Sequence, residues 1–140
     1  EAAAGGSSVE SGGIRVTVVE VDTGGAARLI DLSEFAETPE AGKRAVLLRV
    51  RAEHTGGDSD ETIEVSESNF KLTGSAKVLY DTFEQGCGFY DGAIDGELFA
   101  GGSTEGYVCF TVPSGEADLL LVFEPNYGFD QGERRYLALE

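Results

Sequence analysis

Hydrophobic and polar positions alternate with a period of two through most of the chain. Ile14, Val16 and Val18 alternate with Arg15 and Thr17, the pattern of a strand with one buried face. Val19 and Val21 then fall out of phase, which predicts a bulge near Val18 or Val19. Val46, Leu48, Val50 and Ala52 form a second apolar row, with Leu47, Arg49, Arg51 and Glu53 on the other face. A third row, Val108, Phe110 and Val112, stands opposite Tyr107, Cys109 and Thr111. Pro113 closes that strand because it has no amide hydrogen to donate. Shorter apolar runs lie at residues 62–65, 70–72, 78–80, 119–123 and 136–139.

Turn-forming residues separate the runs, as in Gly56-Gly57-Asp58-Ser59-Asp60, Gly74-Ser75 and Pro113-Ser114-Gly115. Residues 84–97 read as a Gly-rich irregular stretch. In the long connection 23–42, Leu29, Leu32 and Phe35 with Ser33 as a cap predict at most a short helical turn near residues 29–36, stopped by Pro39 and Gly42. Some seven to nine short strands with turns between them predict an all-β fold, an antiparallel β-sandwich over residues 14–140. Residues 1–13, EAAAGGSSVESGG, are small and polar and predict a flexible N-terminal tether.

Composition adds constraints on class. A chain of 140 residues, 41% of them hydrophobic, has enough apolar surface for one domain with a core, so disorder is not expected. Asp and Glu number 26 against 10 Lys and Arg, a net charge of −16. Such a surface repels phosphate backbones and anionic lipid, which argues against nucleic-acid binding. No apolar run approaches the length that spans a bilayer, so no transmembrane segment is expected. The chain has no Met, which fits removal of a signal peptide or lipid anchor upstream, although an arbitrary cut gives the same start.

Cys87 and Cys109 are the only cysteines. In an exported protein an even count reads as a disulfide, and closing a loop of about two dozen residues stabilises by roughly 3 kcal/mol in the chain-entropy model. Cys109 faces away from Val108 and Phe110, so the bridge would pin the Gly-rich stretch to the outside of a strand. A metal pair would need further ligands where only His54 exists, and a redox pair is usually spaced more closely.

Val46-Leu47-Leu48-Arg49-Val50, then Thr62-Ile63-Glu64-Val65-Ser66 and Asn69-Phe70-Lys71-Leu72, open a recognisable order. It continues through Leu98-Phe99-Ala100-Gly101-Gly102-Ser103, Gly106-Tyr107-Val108-Cys109-Phe110-Thr111-Val112-Pro113 and Leu119-Leu120-Leu121-Val122-Phe123-Glu124-Pro125. This order resembles the extracellular immunoglobulin-like family called domain of unknown function 4352, found in secreted proteins and lipoproteins and similar to a mycobacterial immunoprotective antigen. The resemblance covers about residues 14–139 and implies an immunoglobulin-like sandwich, export and, in a subset, a similar cysteine pair. His54-Thr55-Gly56 departs from the family's Asn-containing turn, and residues 24–42 look like an insertion. The resemblance implies no catalytic residues.

Chemistry-bearing constellations are sparse. His54 lacks a nucleophile signature beside it, and Gly101-Gly102-Ser103-Thr104-Glu105 fails the nucleophile-elbow pattern at its last position. Asp58, Asp60 and Glu61 share one turn and would offer oxygens to Ca²⁺, but a solvated hairpin explains them as well. Asp91, Asp95 and Glu97 form a second acidic group. Tyr80, Phe83, Phe89 and Tyr90 surround the cysteine loop, and Tyr127 and Phe129 lie in the last Gly-rich loop. These six are candidates for a partner-binding patch, against the alternative that they plug the end of the sandwich.

The reading is a non-catalytic module, secreted or anchored at the cell surface, that binds an unknown protein or envelope component and needs no cofactor. A Ca²⁺-stabilised structural domain of an envelope assembly is the alternative, and a hydrolase ranks below both. One expectation is immediately testable: denatured, unreduced protein should titrate with no free thiols, and two free thiols would remove the bridge.

Overall fold

In the computed structural model the apolar rows of the sequence become the inner faces of two opposed sheets. The structure describes residues 7–11, 13–22, 39, 41–55, 62–87, 92–124 and 134–139. Among them are ten strands: β1 (Ser7–Ser11), β2 (Ile14–Asp22), β3 (Lys43–His54), β4 (Ile63–Ser66), β5 (Phe70–Thr73), β6 (Tyr80–Asp81), β7 (Asp95–Leu98), β8 (Ser103–Pro113), β9 (Leu120–Phe123) and β10 (Arg135–Ala138). One sheet has the order β1-β2-β3-β8, the other β10-β9-β5-β6, and β4 pairs with β7 as a two-stranded ribbon. Every pairing between named strands is antiparallel. This is the expected all-β sandwich.

The predicted rows pack as predicted. Val16, Val18, Val46, Leu48, Val50, Ala52, Val108, Phe110 and Val112 are all fully buried, facing Phe70, Leu72, Leu121 and Phe123 of the second sheet. The rings of Phe70 and Phe123 lie 5.5 Å apart. The register of β2 on β3 shifts between Val18 and Glu20, so Val19 is the bulged residue and turns outward.

Two strands are absent from the sequence reading. Ser7–Ser11 lies inside the expected tether, yet it pairs with β2 from Ser7↔Val18 to Ser11↔Ile14. Its ladder is made of backbone groups, which small polar residues supply as well as apolar ones, and Val9 packs partly against the core. All of strand β7 but Leu98 lies in the expected irregular stretch; its outward Asp95 and Glu97 alternate with Gly96, so no apolar row marks it. The helical turn expected near residues 29–36 falls outside the described residues.

The ladder between β3 and β8 is the longest, running from Lys43↔Pro113 to Glu53↔Ser103. Its outer face is not wholly solvated. Ala45, Leu47, Cys87 and Cys109 form a second buried cluster there, with Tyr107 packed against it. Further along the same face Arg49 pairs with Glu105 at 2.6 Å and lies 5.8 Å over the Tyr107 ring. The segment 92–94 runs alongside the edge of β8 here, parallel to it at Ala93↔Tyr107: Tyr107 N–H donates to Gly92 O at 2.7 Å, and Ile94 N–H donates to Tyr107 O at 2.9 Å. Gly106 permits that approach, since a Cβ there would sit 2.6 Å from Ile94 Cα.

Replacing Gly106 with Ala should therefore lower the unfolding free energy by about 1–3 kcal/mol, the scale of overpacking. Gly115→Ala, whose added carbon meets nothing within 4 Å, should change it by less than about 0.5 kcal/mol. Urea unfolding of both variants checks the pair.

Candidate functional site

The disulfide predicted from the cysteine count is present. Cys87 and Cys109 are joined, with Cα atoms 5.7 Å apart and a sequence separation of 22. Just before Cys87 the chain makes a tightly bonded turn. The Asp81 carboxylate accepts from Glu84 N–H at 2.7 Å, Asp81 O accepts from Gln85 N–H at 2.9 Å, and Asp81 N–H donates to Gln85 Oε1 at 3.1 Å. Gly86 has no alternative here, because a Cβ would lie 2.2 Å from Thr82 O. Thr111 then ties the turn to β8: its N–H donates to Gln85 O at 2.7 Å and its hydroxyl to Gly86 O at 3.1 Å. At the tip of this fixed turn Phe83 is 95% exposed.

Phe83 forms one wall of a groove of about 520 Å³. The other walls are Ser66, Glu67 and Ser68 on one side and Ala93, Ile94 and Asp95 on another. Ser66 is placed by a capping box: its hydroxyl accepts from Ser68 N–H while its own N–H donates to Asn69 Oδ1, which sets the 3-10 turn Glu67–Asn69. A second hollow of about 260 Å³ shares Ser66 and Asp95 and continues over Glu64, Gly96 and Glu97. In the β4–β7 ribbon Glu64 stands directly opposite Glu97, and Ser66 opposite Asp95. Glu64, Asp95 and Glu97 are exposed. Like charges facing each other across a ribbon repel, and a hydrogen bond from the Thr62 hydroxyl to Glu97 at 2.5 Å offsets only part of that cost.

The aromatic candidates divide. Tyr80 is buried in the core, where desolvation raises its phenol above the ordinary 10.0 and the neighbouring Glu116 carboxylate raises it further. It belongs to the packing, not to an exposed patch. Phe83 is its opposite. Phe89, Tyr90, Tyr127 and Phe129 fall outside the described residues, as do Asp58, Asp60, Glu61 and Asp91. His54 is buried at the end of β3, where its backbone exchanges hydrogen bonds of 2.9 Å with Gly101 and Gly102. Among the described residues no three His, Cys, Asp or Glu side chains are arranged to hold a metal ion.

Sequence reading missed one polar centre. Glu124, only 3% exposed, accepts from Lys71 Nζ at 2.5 Å and from Arg134 Nε at 2.7 Å. Its backbone is locked to the buried Asn69: Glu124 N–H donates to Asn69 O at 2.8 Å and Asn69 Nδ2 donates to Glu124 O at 3.1 Å. Burial pushes the Glu124 carboxyl up, but the hydrogen bonds from Lys71 and Arg134 outweigh it and hold the group below its ordinary 4.5. The signal available in sequence was an acid abutting the apolar run Leu119–Phe123.

Comparison with known proteins agrees with this architecture. The family model described as Domain of unknown function (DUF4352) matches residues 4–134. A candidate lipoprotein (ycdA) from Bacillus subtilis superposes with a TM-score of 0.63 at 13% identity over 95% of this chain, which spans 38% of that protein's length. The yjhA protein of Bacillus subtilis gives 0.57 at 17% identity, covering 96% of this chain and 97% of that one. A functionally unknown protein from Listeria monocytogenes gives 0.55 at 8% identity, over 99% and 82%. At these identities the likeness is one of fold. No curated protein matches the sequence.

Two expectations follow from the site. Tyr80→Ala should cost about 3 kcal/mol, as for a buried aromatic, while Phe83→Ala should leave stability within about 0.5 kcal/mol; thermal and urea unfolding separate them. Glu124 has a folded-state pKa below its unfolded one, so its contribution is complete above about pH 4.5 and is lost as pH falls through the folded value. Glu124→Gln should cost about 2 kcal/mol at pH 7, less than a fully buried pair because Lys71 and Arg134 keep access to water, and should flatten the fall in stability below pH 4.5.

Proposed function

The chain belongs to the family described as Domain of unknown function (DUF4352), and from that premise we propose that it is an exported, non-catalytic interaction module working at the cell envelope. The observation that carries the reading is Phe83: a large apolar side chain left 95% exposed at the tip of a turn fixed by a disulfide, beside a groove. A side chain on a backbone turn already fixed by hydrogen bonds loses less entropy when a partner covers it, which is what a recognition anchor needs. Export is supported by the Cys87–Cys109 bridge, since structural disulfides persist in oxidising compartments. Attachment to the cell surface through an upstream lipid is proposed from the candidate lipoprotein of Bacillus subtilis that shares the fold. The groove walls carry carboxylates, hydroxyls and one aromatic ring, with no nucleophile–base pair set among the described residues.

Protease treatment of intact source cells should degrade the protein, and alkylation before lysis should leave Cys87 and Cys109 unlabelled; a protected, reduced, cytosolic protein would refute the reading. The purified domain should bind envelope preparations from those cells saturably, and Phe83→Ala should weaken that binding about tenfold without changing the melting temperature.

A further inference from the structure

The groove beside Phe83 has a consistent chemistry. Its two hollows share Ser66 and Asp95; among the described residues one is lined by Glu67 and Asp95 and the other by Glu64, Asp95 and Glu97, with no Lys or Arg among the described lining residues. Phe83 stands beside the groove with its side chain almost fully exposed. Resting on the interaction-module reading, we infer that this groove takes an extended peptide segment of a partner protein with arginines at alternate positions. Charge complementarity selects a cationic occupant: the repulsion between Glu64 and Glu97 is relieved when a cation lies between them. Spacing selects an extended one. Asp95 and Glu97 are two residues apart on one face of β7, roughly 7 Å, and same-side side chains of an extended peptide repeat at the same distance. The exposed Phe83 beside the carboxylates selects arginine over lysine, because a guanidinium stacks on a ring while forming paired hydrogen bonds to a carboxylate. The carboxylates are strung along the ribbon and do not converge on a point, which favours a strand of cations over a single metal ion.

The test uses the oxidised full chain and two peptides of equal charge, acetyl-Arg-Ser-Arg-Ser-Arg-Ser-amide and acetyl-Arg-Arg-Arg-Ser-Ser-Ser-amide, followed by calorimetry. The alternating peptide should bind one-to-one and at least fivefold more tightly than the block peptide, its lysine analogue should bind several-fold more weakly, and Phe83→Ala and Asp95→Asn should each cost about tenfold. Glu10→Gln removes the same charge from β1, an edge strand of a different sheet, and should change affinity less than twofold. Equal binding of both peptides, or equal effects of the Asp95 and Glu10 variants, would mean attraction to the net charge alone and would overturn the inference. So would Ca²⁺ binding at the groove that excludes the peptide. If the domain still binds envelope preparations through Phe83 while neither peptide binds, the partner chemistry is wrong and the interaction-module reading stands. If Phe83→Ala changes neither, both fall.

Discussion

The pairing of β3 with β8 is the contact from which the rest of the molecule is arranged. It is the longest ladder in the described structure, and it is buried from both sides near Leu47 and Cys109. A strand pair covered on both faces needs two coats. The second sheet supplies the inner one through Phe70, Leu121 and Phe123. Among the described residues no strand or helix supplies the outer one: Cys87 lies on that face through its bridge, and irregular backbone runs along the open edge of β8, with segment 85–86 bonded to Thr111 and segment 92–94 bonded to Tyr107. Hydrogen bonds within residues 81–85 and to Thr111 shape this segment, and the Cys87–Cys109 bridge fixes its end to β8.

That solution links stability to function. The coat over β8 leaves the sheet at Asp81 and returns at Cys87, and the excursion between them is the turn that carries Phe83. The same coat resumes at Gly92 and runs directly into β7, whose carboxylates face the groove. One structural requirement therefore places an aromatic tip and an acidic ribbon side by side. On the far side of the second sheet's strands, the Glu124 ion cluster does a different job. It closes the chain between β9 and β10 by joining Lys71 of β5 to Arg134 through one buried carboxylate. The net charge of −16 is thus not uniform in meaning: Glu124 is a neutralised structural anion, whereas Glu64, Asp95 and Glu97 stand exposed.

Much of this was legible from period-two rows. The faces of β2, β3 and β8, the bulge at Val19 and the outward direction of Cys109 all follow from which side chains alternate. What alternation cannot show is a strand whose side chains are not sorted by polarity. Ser7–Ser11 and Asp95–Leu98 each lend the core a single apolar side chain, Val9 and Leu98, so no alternating row marks them, and they read as tether and, up to Glu97, as irregular loop. The groove was invisible for the same reason, since its walls come from residues far apart in sequence that β4, β6 and β7 bring together. Tyr80 and Phe83, three positions apart and both aromatic, have opposite fates. Strand β6 points Tyr80 into the core, and the turn bonds of Asp81 turn Phe83 away from it.

The claim at the centre is that the disulfide fixes a local coat on an otherwise self-sufficient sheet. Hydrogen–deuterium exchange of the oxidised and the reduced, alkylated protein tests it directly. Reduction should release the amides of residues 82–87 and of Thr111, which rely on the stapled turn, while the amides of β3 and β2 stay protected. Unchanged protection at 82–87 after reduction would contradict the claim, and so would simultaneous loss of protection throughout β2, β3 and β8.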